Sequence, residues 1–226
     1  MLFFIYGALI LAYMIDMISN GRKTDEIYLS LLGFGVLVII FKMINRARQE
    51  KFIREYQFHS SIQKQLQTRY PHLDDTQLAS VFQGLRDYFL ACHNAENLMV
   101  SMPSRVVDDA WHEFILCSRH YKNFCKKAFN RFLHHTPAAF MASAEQGQLG
   151  MKLAWQYTCK QAGIDPKKPS ALPLLFALDT ELAIENGYKY SLECVPENDG
   201  HCVSAFGCGG GGCGGGCGGC GGCGGG

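Results

Sequence analysis

The feature that most constrains this chain is an apolar run at residues 27–44, IYLSLLGFGVLVIIFKMI, interrupted only by Ser30 and Lys42. A second apolar run, residues 1–19, precedes it and carries one acid, Asp16. A helix needs about 20 residues to cross the hydrocarbon of a bilayer, and both runs approach this length. No Lys or Arg precedes the first run and no small-x-small cleavage motif follows it, which disfavours a signal peptide. The sequence predicts an uncleaved transmembrane hairpin with residues 20–26 as its turn; the alternative is that the first run is a buried core helix.

Basic side chains crowd the exit of the second run, whereas the turn holds only Arg22 and Lys23. The basic residues at this exit are Lys42, Arg46, Arg48, Lys51 and Arg54. Because cytoplasmic flanks of membrane helices carry an excess of Lys and Arg, both termini should be cytoplasmic. We therefore expect a multi-pass protein of the inner or plasma membrane whose C-terminal domain lies in the cytoplasm.

The rest of the chain has mostly helical periodicity. Asp74, with Gln77 three residues later, predicts a capped helix start. An apolar stripe follows at helical spacing, formed by Leu78, Val81, Phe82, Leu85 and Phe89. The sequence predicts an all-α protein in three parts: two transmembrane helices at 1–44, a cytoplasmic multi-helix domain at 45–206 and a disordered tail at 207–226.

Further along, turn residues punctuate the helical pattern. Thr136 followed by Pro137 predicts a helix start, and Gly163 followed by Pro166 predicts a helix end. Residues 173–184 predict one more helix, and only residues 189–195 look extended.

The stretch VVDDAWHEF, residues 106–114, combines two acids, an indole and an imidazole within five residues. Ser104 predicts an N-cap for a helix starting at Arg105. Helical spacing then predicts one apolar face made of Val107, Ala110, Trp111, Phe114, Tyr121 and Cys125. The opposite side is predicted to be solvated and holds Asp109, Glu113 and His120.

Asp108 and His112 lie four residues apart at one edge of this apolar face, with Arg119 further along the same edge. An Asp one turn before a His can fix the imidazole tautomer, bind a metal ion jointly with it, or raise its basicity for proton transfer. The first role is purely structural, and the other two make Asp108 and His112 candidate metal ligands or catalytic residues. All three remain open from the sequence.

Trp111 and His112, with Leu116, Tyr121, Cys125 and the run FNRFL at 129–133, resemble the signature of the glycine-rich domain protein family, known from plants and from bacterial membrane-anchored relatives. That family has an acid before a Trp-His-x-His core. Its second histidine corresponds to Phe114 here, and its glycine in the FNRFL run corresponds to Asn130. If the family histidines form a metal pair, His134 or His135 could supply the missing partner by folding back beside the helix. The resemblance implies a domain without a settled biochemical activity.

The C-terminal residues form a second distinctive feature, CGGGGCGGGCGGCGGCGGG. Glycine alone separates its cysteines, which are Cys208, Cys213, Cys217, Cys220 and Cys223. So much glycine cannot bury enough apolar surface to offset its ordering entropy, and the tail is predicted to be disordered. In a reducing cytoplasm its thiols would be free, modified, or bound to a soft ion such as Zn or Cu(I). The alternatives are a tether and a substrate for thiol modification.

These patterns leave three classes of function. A net charge of +1 gives no support to a nucleic-acid binder. The sequence favours a membrane-anchored interaction or assembly module with a protein partner. The alternatives are a metal-handling protein that uses the tail thiolates, and a metal-dependent enzyme that uses the Asp108 and His112 site.

Overall fold

The computed structural model of the protein describes residues 24–136, 144–192, 201–203 and 206, together with residues 7, 12, 13, 15, 16 and 19. The chain divides into two compact units, Met1–Arg48 and Gln49–Gly226. The described part contains seven helices and two short strands. They are α1 (Thr24–Arg54), α2 (Ser60–Arg69), α3 (Asp75–Asn94), α4 (Arg105–Leu116), α5 (Ser118–Phe129), α6 (Ala144–Ala162), α7 (Leu174–Glu181), β1 (Tyr190–Ser191) and β2 (His201–Cys202).

Helix α1 contains the apolar run. Its portion Tyr28–Arg54 is long and apolar enough to cross a membrane. The most apolar 18-residue stretch of this portion has a mean hydropathy of 1.9, and none of its residues is buried. Signal sequences and some core helices meet the same criteria of length and composition, although a core helix is mostly buried. The turn predicted at 20–26 is wrong in its last three residues, because 24–26 already belong to α1. Residues 20–23 and most of the first apolar run lie outside the described residues, and the tail at 207–226 does also.

The local helix signals in the second unit are confirmed. Asp74 caps α3 in a capping box, accepting from the Gln77 N–H at 2.8 Å while the Gln77 side chain accepts from the Asp74 N–H at 2.9 Å. The predicted stripe on α3 is buried throughout. Gly163 follows α6 with a φ of +69°, in the left-handed region where glycine closes a helix. Residue Pro137, predicted to begin a helix, lies outside the described residues.

Helical spacing predicted that Tyr121 and Cys125 extend the apolar face of the helix that starts at Arg105, but in the structure they lie on a separate helix. Helix α4 ends at Leu116, Cys117 has φ −76° and ψ 54°, and α5 begins at Ser118. Ten residues of a straight helix span about 15 Å along its axis, yet the Trp111 indole N–H donates to the Tyr121 hydroxyl at 3.2 Å. The bend at Cys117 therefore folds α5 back toward α4, and Arg119 does not continue the edge that carries Asp108 and His112.

The predicted solvation of Asp109 and Glu113 is also wrong. Helix α2 lies against this side of α4, where Arg69 forms ion pairs with Asp109 at 2.7 Å and with Glu113 at 3.5 Å. The Tyr70 hydroxyl donates to Asp109 at 2.5 Å. His120 is exposed, as expected. The apolar residues predicted for the α4 and α5 face, Val107, Ala110, Trp111, Phe114, Tyr121 and Cys125, are all buried.

The extended segment near the C-terminus pairs with the residues that follow it. Strands β1 and β2 are parallel, with Tyr190 opposite His201 and Ser191 opposite Cys202. Residues 193–200 lie outside the described part. Cys202 is disulfide-bonded, which differs from the reduced thiols expected of a cytoplasmic domain, because persistent disulfides belong to oxidising compartments.

Candidate metal centre

Three potential metal ligands meet at the edge of α4. Asp108, His112 and His135 each offer one ligand atom, and these atoms all lie within 4.8 Å of one another. Asp108 Oδ1 lies 3.0 Å from His135 Nε2, and Asp108 Oδ2 lies 3.6 Å from His112 Nδ1. The two imidazole rings are 4.3 Å apart between centroids. One carboxylate therefore stands between two imidazoles.

The N-terminus of α4 is fixed by a distant carboxylate. Asp179 of α7 is 3% exposed and accepts hydrogen bonds from the Ser104 hydroxyl at 2.7 Å and from the N–H groups of Arg105 at 2.7 Å and Val106 at 3.2 Å. A fourth bond comes from the Tyr188 N–H at 2.8 Å. These donors include N–H groups that a helix leaves unpaired at its start. Asp179, which the sequence reasoning missed, thus anchors the helix that carries Asp108 and His112.

His135 reaches the centre through the chain that follows α5. Asn130 ends α5 with φ 55° and ψ 13°, a left-handed conformation that Asn and Gly tolerate better than other residues. The Tyr121 hydroxyl then donates to the Leu133 carbonyl at 2.5 Å and ties the segment to α5. His135 follows two residues later and lies against α4.

Trp111 joins the centre to the core. Its side chain is 3% exposed, and its ring meets the His135 ring at 4.5 Å in an edge-to-face arrangement. Burial raises the pKa of the Tyr121 hydroxyl, to which the indole donates, so Tyr121 remains a neutral donor to Leu133. This packing restricts the His135 ring to one side of α4.

Two other described candidates, His134 and Cys125, do not join this group. His134 is exposed and packs against Phe132, with ring centroids 4.9 Å apart. Burial raises the pKa of the Cys125 thiol, so the thiolate that a metal requires is disfavoured there. The five tail cysteines lie outside the described residues.

The three ligand atoms must move closer together to hold a small cation. With metal bonds of about 2.0–2.2 Å, tetrahedral ligands lie about 3.3–3.6 Å from one another. The two short contacts, 3.0 and 3.6 Å, involve different Asp108 oxygens, and the set with one atom from each residue spans up to 4.8 Å. The side chains of His112, Asp108 and His135 are 45%, 30% and 15% exposed. The centre is therefore open to solvent on the His112 side, and three protein ligands leave a coordination position for water or a substrate oxygen.

Fold and site together define a helical protein with an apolar N-terminal helix and an Asp-His-His cluster at the edge of its core. Residues 48–210 match the family model described as UCP032817-like, which covers more than half of the chain. The chain belongs to this family, whose function is uncharacterised. No curated protein and no solved structure matches this chain.

Proposed function

We propose that the helical unit binds a divalent transition-metal ion through Asp108, His112 and His135. The observation that carries this proposal is the convergence of three ligand atoms within 4.8 Å from two segments of the chain. Two imidazoles and one carboxylate form a ligand set that suits Zn and other first-row ions better than Mg or Ca. Asp108 is hydrogen-bonded to His135 at 3.0 Å, which orients that imidazole before an ion arrives, and it lies 3.6 Å from His112.

The open coordination position favours a catalytic or exchangeable ion over a closed structural one, because structural zinc sites have four protein ligands. In a metal-dependent enzyme of this kind, Asp108 and His112 would act as ligands rather than as a general acid and base. A bound ion would lower the pKa of a coordinated water, and the exposed His112 side would admit the substrate.

Zinc binding by the detergent-solubilised full-length chain tests this proposal. All five tail cysteines are first changed to Ser, so that only the helical unit can contribute. We expect zinc to bind in competition with a chelator, and His135→Ala or Asp108→Ala to lower its affinity by more than about tenfold, or about 1.4 kcal/mol. The matched control is His134→Ala, which removes the neighbouring exposed histidine and should leave affinity unchanged. Equal effects of His134→Ala and His135→Ala would refute the site.

The tail supports a second, separate metal function. Cys217, Cys220 and Cys223 form overlapping C-x-x-C steps, and residues 207–226 contain no Lys, Arg, Asp or Glu. Any cation affinity must therefore come from thiolates, should weaken as pH falls, and should release protons. The test is titration of the reduced protein with Zn(II) and Cu(I), with and without Cys220→Ser. Because glycine imposes no preformed geometry, we expect the Cys220→Ser protein to bind these ions somewhat more weakly than the wild type rather than to lose binding altogether.

The membrane arrangement remains a proposal. We propose a hairpin at 1–44, a glycine-rich-domain-like helical domain at 45–206 and the tail at 207–226, with the domain and the tail in the cytoplasm. Its support is the excess of Lys and Arg after the second apolar run. A cytoplasm-dependent reporter fused after Gly226 should be active, and one inserted at Arg22 should not. The reverse result would place Cys202 in an oxidising compartment, where its disulfide is expected.

A metal site in the helical domain is compatible with the prediction that this domain binds a protein partner. The domain could present its metal centre to a protein partner at the membrane surface. The partner itself stays a prediction.

A further inference from the structure

A cavity lies away from the metal centre, in the same unit. Its volume is 260 Å³, and α1, α3, α6 and the start of α7 enclose it. Its charged lining residues are Arg54 and Asp87, with Gln83, Thr158 and Gln161 as polar neighbours. Its remaining walls are apolar and consist of Ala162, Pro173, Leu174 and Leu175.

The Asp87 carboxylate is only partly satisfied by the described residues. Gln83 Nε2 donates to Oδ1 at 2.9 Å, and no described residue donates to Oδ2. Arg86, its sequence neighbour, is used elsewhere: its Nε donates to the Tyr56 carbonyl at 3.0 Å and its Nη1 to Gln83 Oε1 at 3.1 Å. A cationic group in the cavity would therefore find an oxygen with free acceptor capacity.

Burial raises the pKa of the Asp87 carboxyl, because desolvation outweighs the hydrogen bond from Gln83 and the charges of Arg54 and Arg86. Folding therefore binds this proton more tightly, and stability falls as pH rises through the raised pKa. At neutral pH the charged carboxylate opposes folding. A residue that is costly for the fold and lies in a cavity is a typical feature of a ligand site.

Arg54 supplies the opposite charge. Its exposed guanidinium forms no hydrogen bond or ion pair with a described residue, and it lies close enough to lower the pKa of Asp87. The first turn of α7, which begins after Pro173 without a side-chain cap, also borders the cavity and adds positive potential. The cavity thus offers one site for a cation and one for an anion.

We propose that this cavity binds a small zwitterion, an ammonium and a carboxylate on one carbon as in a free α-amino acid. The ammonium donates to Asp87 Oδ2, and the carboxylate pairs with the Arg54 guanidinium, a geometry that suits bidentate recognition. The apolar wall leaves room for a short side chain. This site is independent of the proposed metal function, because it shares no residue with it.

Calorimetric titration of the detergent-solubilised full-length chain with L-alanine tests the proposal, with ethylamine as the cation alone and acetate as the anion alone. We expect alanine to bind at least about tenfold more tightly than either fragment. Arg54→Gln and Asp87→Asn should each weaken alanine binding by about tenfold or more, or about 1.4 kcal/mol. Asp87→Asn should at the same time be no less stable than the wild type at neutral pH, which excludes misfolding as the cause.

The matched control is Lys51→Gln, which removes an exposed cation one turn earlier on α1 and should leave binding unchanged. Three results would overturn the proposal. They are no heat of binding at millimolar alanine, ethylamine binding as tightly as alanine, and equal effects of Lys51→Gln and Arg54→Gln.

Discussion

Two carboxylates serve the same helix in opposite ways. Asp179 at the N-terminus of α4 is 3% exposed and accepts four hydrogen bonds, three of them from backbone N–H groups. Asp108, within the first turn of the helix, is 30% exposed, and its side chain contacts two imidazoles. The donors to Asp179 are backbone N–H groups and a hydroxyl, which do not bind metal ions in place of their protons. A neutral imidazole nitrogen, in contrast, can bind a metal ion. Burial and the type of donor, rather than the carboxylate itself, therefore separate a structural acid from a candidate site.

The largest effect should come from Asp179→Ala. The change leaves four donors without their partner. At about 1–3 kcal/mol for each donor their combined cost is about 4–12 kcal/mol, so we expect the free energy of unfolding to fall by at least about 4 kcal/mol. Denaturant titration in detergent measures it. The control is Asp75→Ala, which removes an exposed acid from the first turn of α3 and should cost no more than about 0.5 kcal/mol. A loss similar to that of the control would remove the distinction between the two acids.

Trp111→Ala should have the next largest effect. The indole is buried between the core and His135, and its truncation should cost about 3–5 kcal/mol. Zinc affinity should fall as well, because the His135 ring loses the surface that orients it. Trp111→Phe serves as the comparison, since it keeps an aromatic ring and loses the bond to Tyr121 and only part of the buried ring volume. An unaffected Trp111→Ala protein would contradict the buried position of the indole.

The sequence predicted those parts of the fold that depend on neighbours in the chain. The Asp74 and Gln77 box, the Ser104 cap and the Gly163 terminus each involve residues within a few positions of one another. The bend at Cys117 escaped prediction because Phe114 and Tyr121 are seven residues apart and share an apolar stripe whether or not the helix is continuous. Asp109 was misassigned for a related reason, since Tyr70, its partner, lies 39 residues away.

The candidate site was predictable to a similar extent. The spacing of Asp108 and His112 follows from helix geometry alone. His135 lies 27 residues from Asp108, and the sequence could not decide between it and His134, because the choice depends on the left-handed turn at Asn130 and on the Tyr121 bond to Leu133. Asp179 is separated from Ser104 by 75 residues and carries no local motif that would have revealed it.

A smaller effect should follow from Tyr121→Phe, which tests how His135 is held beside Asp108. The change removes one hydroxyl that donates to the Leu133 carbonyl, and it should cost about 0.5–1.5 kcal/mol of stability. If this bond positions His135, zinc affinity should fall by about tenfold, in the range seen when outer-shell partners of metal ligands are lost. Unchanged zinc affinity would mean that Trp111 packing alone places the imidazole.

The smallest effect on the metal-free protein should come from His112→Ala, because the imidazole is 45% exposed and lies 3.6 Å from Asp108. We expect a cost below about 1 kcal/mol, as for a solvent-exposed ion pair. Saturating zinc should raise the melting temperature of the wild type, since an ion that binds only the folded state stabilises it, and this rise should be lost in the variant. Melting curves with and without zinc, in the background without tail cysteines, measure both quantities. A clear destabilisation without zinc, with an unchanged response to zinc, would make His112 a structural partner of Asp108 and place both acids in the same class.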